Sequence, residues 1–148
     1  VMMLEFKSRT VGTNDLDVLS ASPSNNLQKY CSVIADERGW TQRWLNDSAA
    51  KFEREAKVPD NEDHEIFRRP GLTLTRPSLI RMLAWKLDRF VGVDREDALV
   101  LLRRILAKTP YDLESLWLQL EGHLPLGDNK EAYYNLQDLW EDLDSHHA

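Results

Sequence analysis

The chain has 148 residues, of which 42% are hydrophobic and 30% are charged, and its net charge at pH 7 is −6. This length and balance predict one soluble globular domain and exclude an intrinsically disordered chain. We expect neither a membrane span nor a signal segment. The negative net charge argues against broad electrostatic binding of nucleic acid. The single cysteine, Cys31, cannot form an internal disulfide, so we expect a cytoplasmic protein.

The first part of the chain combines strand and helix patterns. The apolar run Val1–Phe6 fits either a strand or a helix, and Leu16–Ala21 predicts a strand. A helix is expected from Ser22-Pro23, with the serine as N-cap and the proline at the first helical position, to Gly39. Apolar residues recur between them at helical spacing, namely Leu27, Tyr30, Cys31, Ile34 and Ala35.

The middle of the chain predicts a short helix, an exposed loop and a β-hairpin. Asn46-Asp47 can cap a helix that runs to about Ala56. The polar stretch Pro59–Glu65 predicts an exposed loop. Two short strands, Ile66–Phe67 and Leu72–Thr75, flank a Pro-Gly turn and predict a hairpin.

The helix after the hairpin carries the first charged residues of interest. It is expected to begin at Pro77-Ser78 and to end at Gly92, with Lys86 and Arg89 on its polar side. Its predicted apolar face consists of Leu79, Ile80, Leu83, Ala84, Leu87 and Val91.

Three further helices are predicted. Asp94 is expected to cap the first, with Asp97 at its third position, and the others start at Thr109–Asp112 and Asp128–Glu131. The last two helices would form an αα-hairpin that serves as a capping layer or an interaction surface. Their apolar stripes are Ala98, Leu101, Leu102, Ile105 and Leu106, then Leu113, Leu116, Trp117 and Leu120, then Ala132, Leu136, Leu139, Trp140 and Leu143. The predicted class is α+β, with a small mixed β-sheet and a mostly helical C-terminal half.

Two aspartates, Asp15 and Asp17, follow a glycine and lie in a short apolar run. Residues two apart on a strand project to the same face, so the two carboxylates would lie side by side. Adjacent carboxylates suit Mg²⁺ when the ion also holds substrate phosphates. The alternative is a strand edge with two solvated aspartates.

A second candidate combines Lys86 with Asp97. A lysine on a helix after a strand can place a charge against a triphosphate, and Asp97 could orient it. The alternative is a solvated lysine and a carboxylate that stabilises its helix dipole. No zinc motif or phosphate-binding glycine loop is found, and the five tryptophans are expected in the core.

Three segments together resemble a known family. The first is Arg9-Thr10 followed by Asn14–Leu19, and the second is Arg38–Trp40 followed by Trp44–Asp47. The third is Pro77–Leu87 followed by Asp94–Ala98. Over roughly residues 1 to 106, these are similar to small prokaryotic nucleotidyltransferases of the DNA-polymerase-β-like superfamily, related to abortive-infection and toxin–antitoxin nucleotidyltransferases.

The resemblance implies a role for each matching residue. Asp15 and Asp17 would bind Mg²⁺ or Mn²⁺, and Lys86 and Arg89 would bind the triphosphate of a nucleoside triphosphate. Asp97 would position Lys86 or the nucleotide. The reaction would transfer a nucleoside monophosphate to an acceptor such as an RNA 3′ end, a protein side chain or a small molecule.

A second hypothesis is a degenerate nucleotidyltransferase-like protein that acts as an interaction module, with an antitoxin-like protein as a partner. Family members carry a Gly-Gly or Gly-Ser turn upstream of the segment matching Val1–Phe6, and the sequence starts after that point. Without the family's first strand, the sheet would have an unpaired edge, which predicts a homodimer through that edge.

Overall fold

The computed structural model describes residues 16–18, 24–46 and 64–145. These residues belong to two compact units, the smaller with 16–18 and 24–46 and the larger with 64–145. The class is α+β with mostly helical content, as predicted. The segment Val1–Phe6 and the helix expected after Asn46 lie outside the described residues. Within those ranges, no helix combines the length and apolar character that crossing a membrane requires.

The smaller unit contains strand β1 (Leu16–Asp17), helix α1 (Ser24–Arg38) and strand β2 (Leu45–Asn46). The two strands pair in parallel, with Leu16 opposite Leu45 and Asp17 opposite Asn46. The backbone N–H of Val18 continues this pairing by donating to the Asn46 carbonyl at 2.8 Å. Strand β2 was not predicted, because two residues are too few for a visible alternation.

Helix α1 confirms the predicted helix but buries fewer of its apolar residues than expected. Cys31 and Ala35 are buried, and the Trp44 indole donates to the Cys31 carbonyl at 3.0 Å. In contrast, Tyr30 is 62% exposed although it shares the helical spacing of the buried residues. Trp40 is 53% exposed, so its predicted core position is wrong. Trp40 lies beyond the end of the helix, where its ring contacts Trp44 edge-on instead of entering a core.

The larger unit begins with the predicted hairpin. Strand β3 (His64–Arg69) pairs antiparallel with strand β4 (Leu72–Arg76), and Gly71 in the turn has φ of 77°. Proline followed by a left-handed glycine is typical of a type II turn. His64 and Glu65 were expected in a loop but belong to β3, because pairing with Arg76 and Thr75 extends the ladder beyond the apolar residues. The described strands form two separate two-stranded sheets rather than one mixed sheet.

Four helices follow the hairpin: α2 (Leu79–Arg89), α3 (Asp94–Lys108), α4 (Leu113–Glu121) and α5 (Lys130–Ser145). Helix α2 packs against all three of the others. The predicted stripes form one core, whose buried members are Met82, Leu83, Ala84, Leu87, Ala98, Leu101, Leu102, Ile105, Leu116, Leu120, Leu124, Ala132, Leu136, Leu139 and Leu143. The helical spacing of the sequence therefore predicted most of this core. Met82 and Leu124 were not predicted, and six residues of the predicted stripes are only partly buried against the core, namely Leu79, Ile80, Leu106, Leu113, Trp117 and Trp140.

Side-chain caps fix where two of these helices begin. Ser78 is the N-cap of α2, and its hydroxyl accepts a hydrogen bond from the Arg81 backbone N–H at 3.2 Å. Asp112 caps α4 through a reciprocal capping box with Ser115. Before α5, the Asp128 carboxylate accepts from the Lys130 backbone N–H at 3.2 Å. Each contact satisfies backbone N–H groups that the first turn leaves without a helical partner.

Candidate functional site

A tight turn between α2 and α3 positions the candidate site. Phe90 ends α2 in the left-handed conformation, with φ of 40° and ψ of 41°, and Gly92 has φ of 55°. This corrects the prediction that Gly92 ends the helix, and it leaves Val91 outside the helix and 60% exposed. The turn places the first residues of α3 beside the last turn of α2. Left-handed backbone at a bulky residue carries a steric cost, which the surrounding contacts must offset.

Asp94 is the centre of the resulting cluster. It is fully buried, and its carboxylate accepts from Arg89 Nε at 2.6 Å, Arg89 Nη2 at 2.7 Å and Lys86 Nζ at 2.8 Å. The Val91 backbone N–H also donates to it, at 3.2 Å. The prediction that Asp94 caps α3 is therefore wrong. Val93 occupies the N-cap position without a side-chain hydrogen bond, because two cations of α2 bind the Asp94 carboxylate.

Lys86 joins the cluster to a second carboxylate. Its ammonium donates to Asp94 Oδ1 and to Asp97 Oδ2, each at 2.8 Å. Asp97 is fully buried, whereas the Lys86 side chain is 20% exposed. Because residues three apart share a helix face, α2 presents Lys86 and Arg89 together, and α3 presents both aspartates together. An ammonium has three N–H donors, and the third has no protein acceptor among the described residues.

The charges of the cluster strongly favour the ionised form of Asp94. Burial by itself would raise the pKa of this carboxyl, but the hydrogen bonds from Arg89 and Lys86 outweigh burial and lower the pKa to about 2. The cations also lie in the last turn of α2 and the anions in the first turn of α3. Each charge therefore has the sign that the adjacent helix dipole favours.

The structure brings together some of the predicted site residues. Lys86, Arg89 and Asp97 share one cluster in the larger unit. Asp17 belongs to the smaller unit, where it is exposed and follows the predicted strand geometry, while Asp15 lies outside the described residues. In residues 16–18, 24–46 and 64–145, no three His, Cys, Asp or Glu side chains form a metal-binding group. Mg²⁺ held by one or two carboxylates together with phosphates needs no such group.

Sequence reasoning missed two contributions to the region around the site. The part played by Asp94 could have been predicted from its three-residue spacing from Asp97, which places both aspartates on one face of α3. Arg81 could have been noticed because it is a charged residue within the apolar pattern of α2. Arg81 is fully buried, its Nε donates to His123 Nδ1 at 3.2 Å, and its guanidinium lies 6.0 Å from the Trp85 ring centre. Helix α2 is thus joined to the segment after α4 as well as to α3.

Fold and cluster together define a mostly helical α+β protein in which two buried carboxylates, Asp94 and Asp97, are paired with two partly exposed cations, Lys86 and Arg89. Comparison of the chain with protein-family models, curated proteins and solved structures found no match.

Proposed function

We propose that the protein is a metal-dependent nucleotidyltransferase and a component of a toxin–antitoxin pair. In this proposal Asp15 and Asp17 hold Mg²⁺ or Mn²⁺, and Lys86 and Arg89 bind the phosphates of a nucleoside triphosphate. The observation that supports this proposal is that the Lys86 ammonium is held in a fixed position. Two buried carboxylates hold its ammonium in one position while part of the side chain remains exposed. A fixed cation needs little reorganisation when negative charge develops near it.

The proposed residues have distinct tasks in the transfer. An acceptor hydroxyl loses its proton to solvent water, and its oxygen forms a bond to the α-phosphorus while the bond from that phosphorus to the pyrophosphate oxygen breaks. A metal ion bound by the aspartates would polarise the phosphates and the acceptor. Lys86 and Arg89 offset the charge of the phosphates and of the departing pyrophosphate. Asp97 positions Lys86 through the 2.8 Å hydrogen bond. The acceptor is an RNA 3′ end, a protein side chain or a small molecule.

Calorimetric titration tests this function directly. Each nucleoside triphosphate is added to the protein with Mg²⁺, with Mn²⁺ and with a chelator. We expect metal-dependent binding that disappears in the Asp15→Asn/Asp17→Asn variant and weakens in Arg89→Gln. Glu37→Gln is a matched control, because Glu37 is an exposed acid of the same unit as Asp17. Absence of binding to folded wild-type protein would contradict the enzyme proposal.

One observation favours the second candidate, an interaction module with a degenerate nucleotidyltransferase-like fold. Lys86 and Arg89 are matched in number by Asp94 and Asp97, so the network is neutral and already joins α2 to α3. A network of this kind can stabilise the contact between α2 and α3 without a ligand. The same titration separates the candidates, because an interaction module would fold normally and bind no nucleotide.

A further inference from the structure

In the larger unit, basic residues predominate in the first part of the sequence and acidic residues in the second. Residues 64–108 carry ten Lys or Arg and five Asp or Glu, whereas residues 109–145 carry one Lys and nine acids. The single cation, Lys130, pairs with Asp128 at 2.9 Å. The nine acids are Asp112, Glu114, Glu121, Asp128, Glu131, Asp138, Glu141, Asp142 and Asp144. Arg95 of α3 also pairs with Asp138 and Asp142 of α5. Nine acids still exceed these two cations, so the pair α4–α5 is a negative part of the molecule.

Two large apolar side chains are exposed on this negative pair. Leu118 of α4 is 70% exposed and Tyr134 of α5 is 61% exposed. A series of contacts connects them across the two helices. Tyr134 lies 6.4 Å from the neighbouring Tyr133 ring, and the Tyr133 hydroxyl donates to Glu114 at 2.6 Å. Glu114 and Leu118 are four residues apart on α4, so they are neighbours on its surface. These four residues, Glu114, Leu118, Tyr133 and Tyr134, are called the outer face of α4–α5.

Aromatic packing between the two helices supports the outer face. The Tyr133 ring packs edge-on against the Trp117 ring, with 5.0 Å between the ring centres. Leu116 and Leu120 of the same helix are buried. Leu118 is two residues from each of them, and residues two apart lie on nearly opposite sides of a helix, so Leu118 points away from the core. Exposed apolar atoms on a fixed support, rimmed by charge, are typical of an interaction surface.

We propose that the outer face docks a basic amphipathic helix of a partner protein. The aliphatic side chains of that helix would cover Leu118 and Tyr134, and its Lys or Arg side chains would approach Glu114 and Glu121. The negative charge of α4–α5 favours a basic partner, because complementary charges promote encounter. The same negative charge disfavours binding of a nucleic acid. It also disfavours a second copy of the same face, because an isologous dimer would bring like charges together. This proposal is independent of nucleotidyl transfer.

The probe is a fluorescent peptide of lysine and leucine with its leucines at helical spacing, titrated with the full chain and followed by anisotropy. A peptide of the same composition, with the leucines distributed around the helix, is the peptide control. We expect the amphipathic peptide to bind in a salt-dependent manner. The Leu118→Ser/Tyr134→Ser variant should weaken binding by about tenfold or more. Glu121→Gln should weaken it less, because an exposed charge contributes little.

The matched protein control is Tyr30→Ser/Val33→Ser, which removes another exposed tyrosine and aliphatic residue from α1. It should bind the amphipathic peptide as the wild type does. Circular dichroism establishes that each variant is folded. The proposal is overturned by equal binding of both peptides, or by equal losses in the two double variants. It is also overturned if wild-type protein sediments as a dimer that Leu118→Ser/Tyr134→Ser dissociates, because the occupant is then a second copy.

Discussion

Lys86 is the residue on which the buried carboxylates depend most. We predict that Lys86→Met lowers the free energy of unfolding by about 3 kcal/mol, because a buried ion pair that loses one partner leaves an uncompensated charge. Asp97 loses its 2.8 Å contact, and Asp94 keeps only Arg89 and the Val91 N–H as donors. Urea unfolding followed by circular dichroism measures the change.

The control for this prediction is Arg89→Met. The Arg89 side chain is 54% exposed, compared with 20% for Lys86, so its ion pair is screened by water to a greater degree. Arg89→Met should therefore cost less than Lys86→Met. If both variants unfold at the same urea concentration as the wild type, the cluster does not stabilise the α2–α3 contact.

Asp94 should make the protein sensitive to acid. Its pKa is about 2 in the folded protein and 3.8 for an ordinary aspartate, so the folded state binds its proton more weakly. The stabilisation is complete above pH 5 and is lost as pH falls through 3.8 towards 2. A shift of this size corresponds to about 2 kcal/mol.

Chemical unfolding from pH 6 to pH 2 measures this contribution as the difference between wild type and Asp94→Asn. The difference should shrink as pH falls, because protonated Asp94 no longer attracts Lys86 and Arg89. Glu96→Gln controls for the loss of an acid from the first turn of α3. A difference between wild type and Asp94→Asn that is constant with pH would show that the substitution acts through packing alone.

The residues of the cluster show what sequence reasoning can find at a site. Lys86 and Asp97 were selected from the sequence because of their types and positions, and the contact between them is present. The sequence predicted Asp94 to be the N-cap of α3, because an aspartate before a helix usually has that role. The choice between capping its own helix and binding two cations depends on how α2 and α3 meet. That information is tertiary and is not present in the local pattern. The catalytic roles of these residues stay predictions.

At the scale of elements, the turn between α2 and α3 sets the geometry of the cluster. Gly92 has φ of 55°, and a Cβ added there would meet nothing within 4 Å. We predict that Gly92→Ala lowers the free energy of unfolding by about 1 kcal/mol, because the left-handed conformation is unfavourable for alanine and no clash adds to the cost. Thermal unfolding followed by circular dichroism measures this difference.

Gly92→Asn is the matched substitution for that turn. Asparagine tolerates the left-handed region better than alanine does, so it should recover part of the lost stability. If alanine and asparagine are equally destabilising, the cost arises from something other than the backbone conformation of Gly92.

Elements with a long periodic pattern were predicted well, and short or irregular ones were not. The apolar stripe of α3 over Ala98–Ile105 identified both the helix and its buried face. The hairpin followed from its Pro-Gly turn. In contrast, β2 is two residues long, and its pairing with β1 depends on a distant part of the chain. The end of α2 was misplaced because glycine is the usual left-handed terminator, whereas here Phe90 adopts that conformation before Gly92 is reached.

At the scale of the whole molecule, the hydrophobic core cluster of the larger unit lies, among the described residues, within the helical segment. Its buried members run from Met82 to Leu143, and none of them comes from the strands. The Ser78 cap of α2 and the ion-pair cluster lie in the same segment. This segment therefore contains the interactions that a cooperative folding unit needs.

We predict that a fragment of residues 77–148 folds alone as a monomeric helical domain. A chain of this size buries a smaller fraction of its surface than a larger domain does, so its stability should be lower than that of the full chain. Urea unfolding monitored by circular dichroism and by tryptophan fluorescence should give coincident single transitions. The same fragment with Leu101→Ala, a substitution at a fully buried core position, should lose about 3 kcal/mol. A gradual transition, or one unaffected by Leu101→Ala, would mean that the helices require residues before 77 to form a defined core.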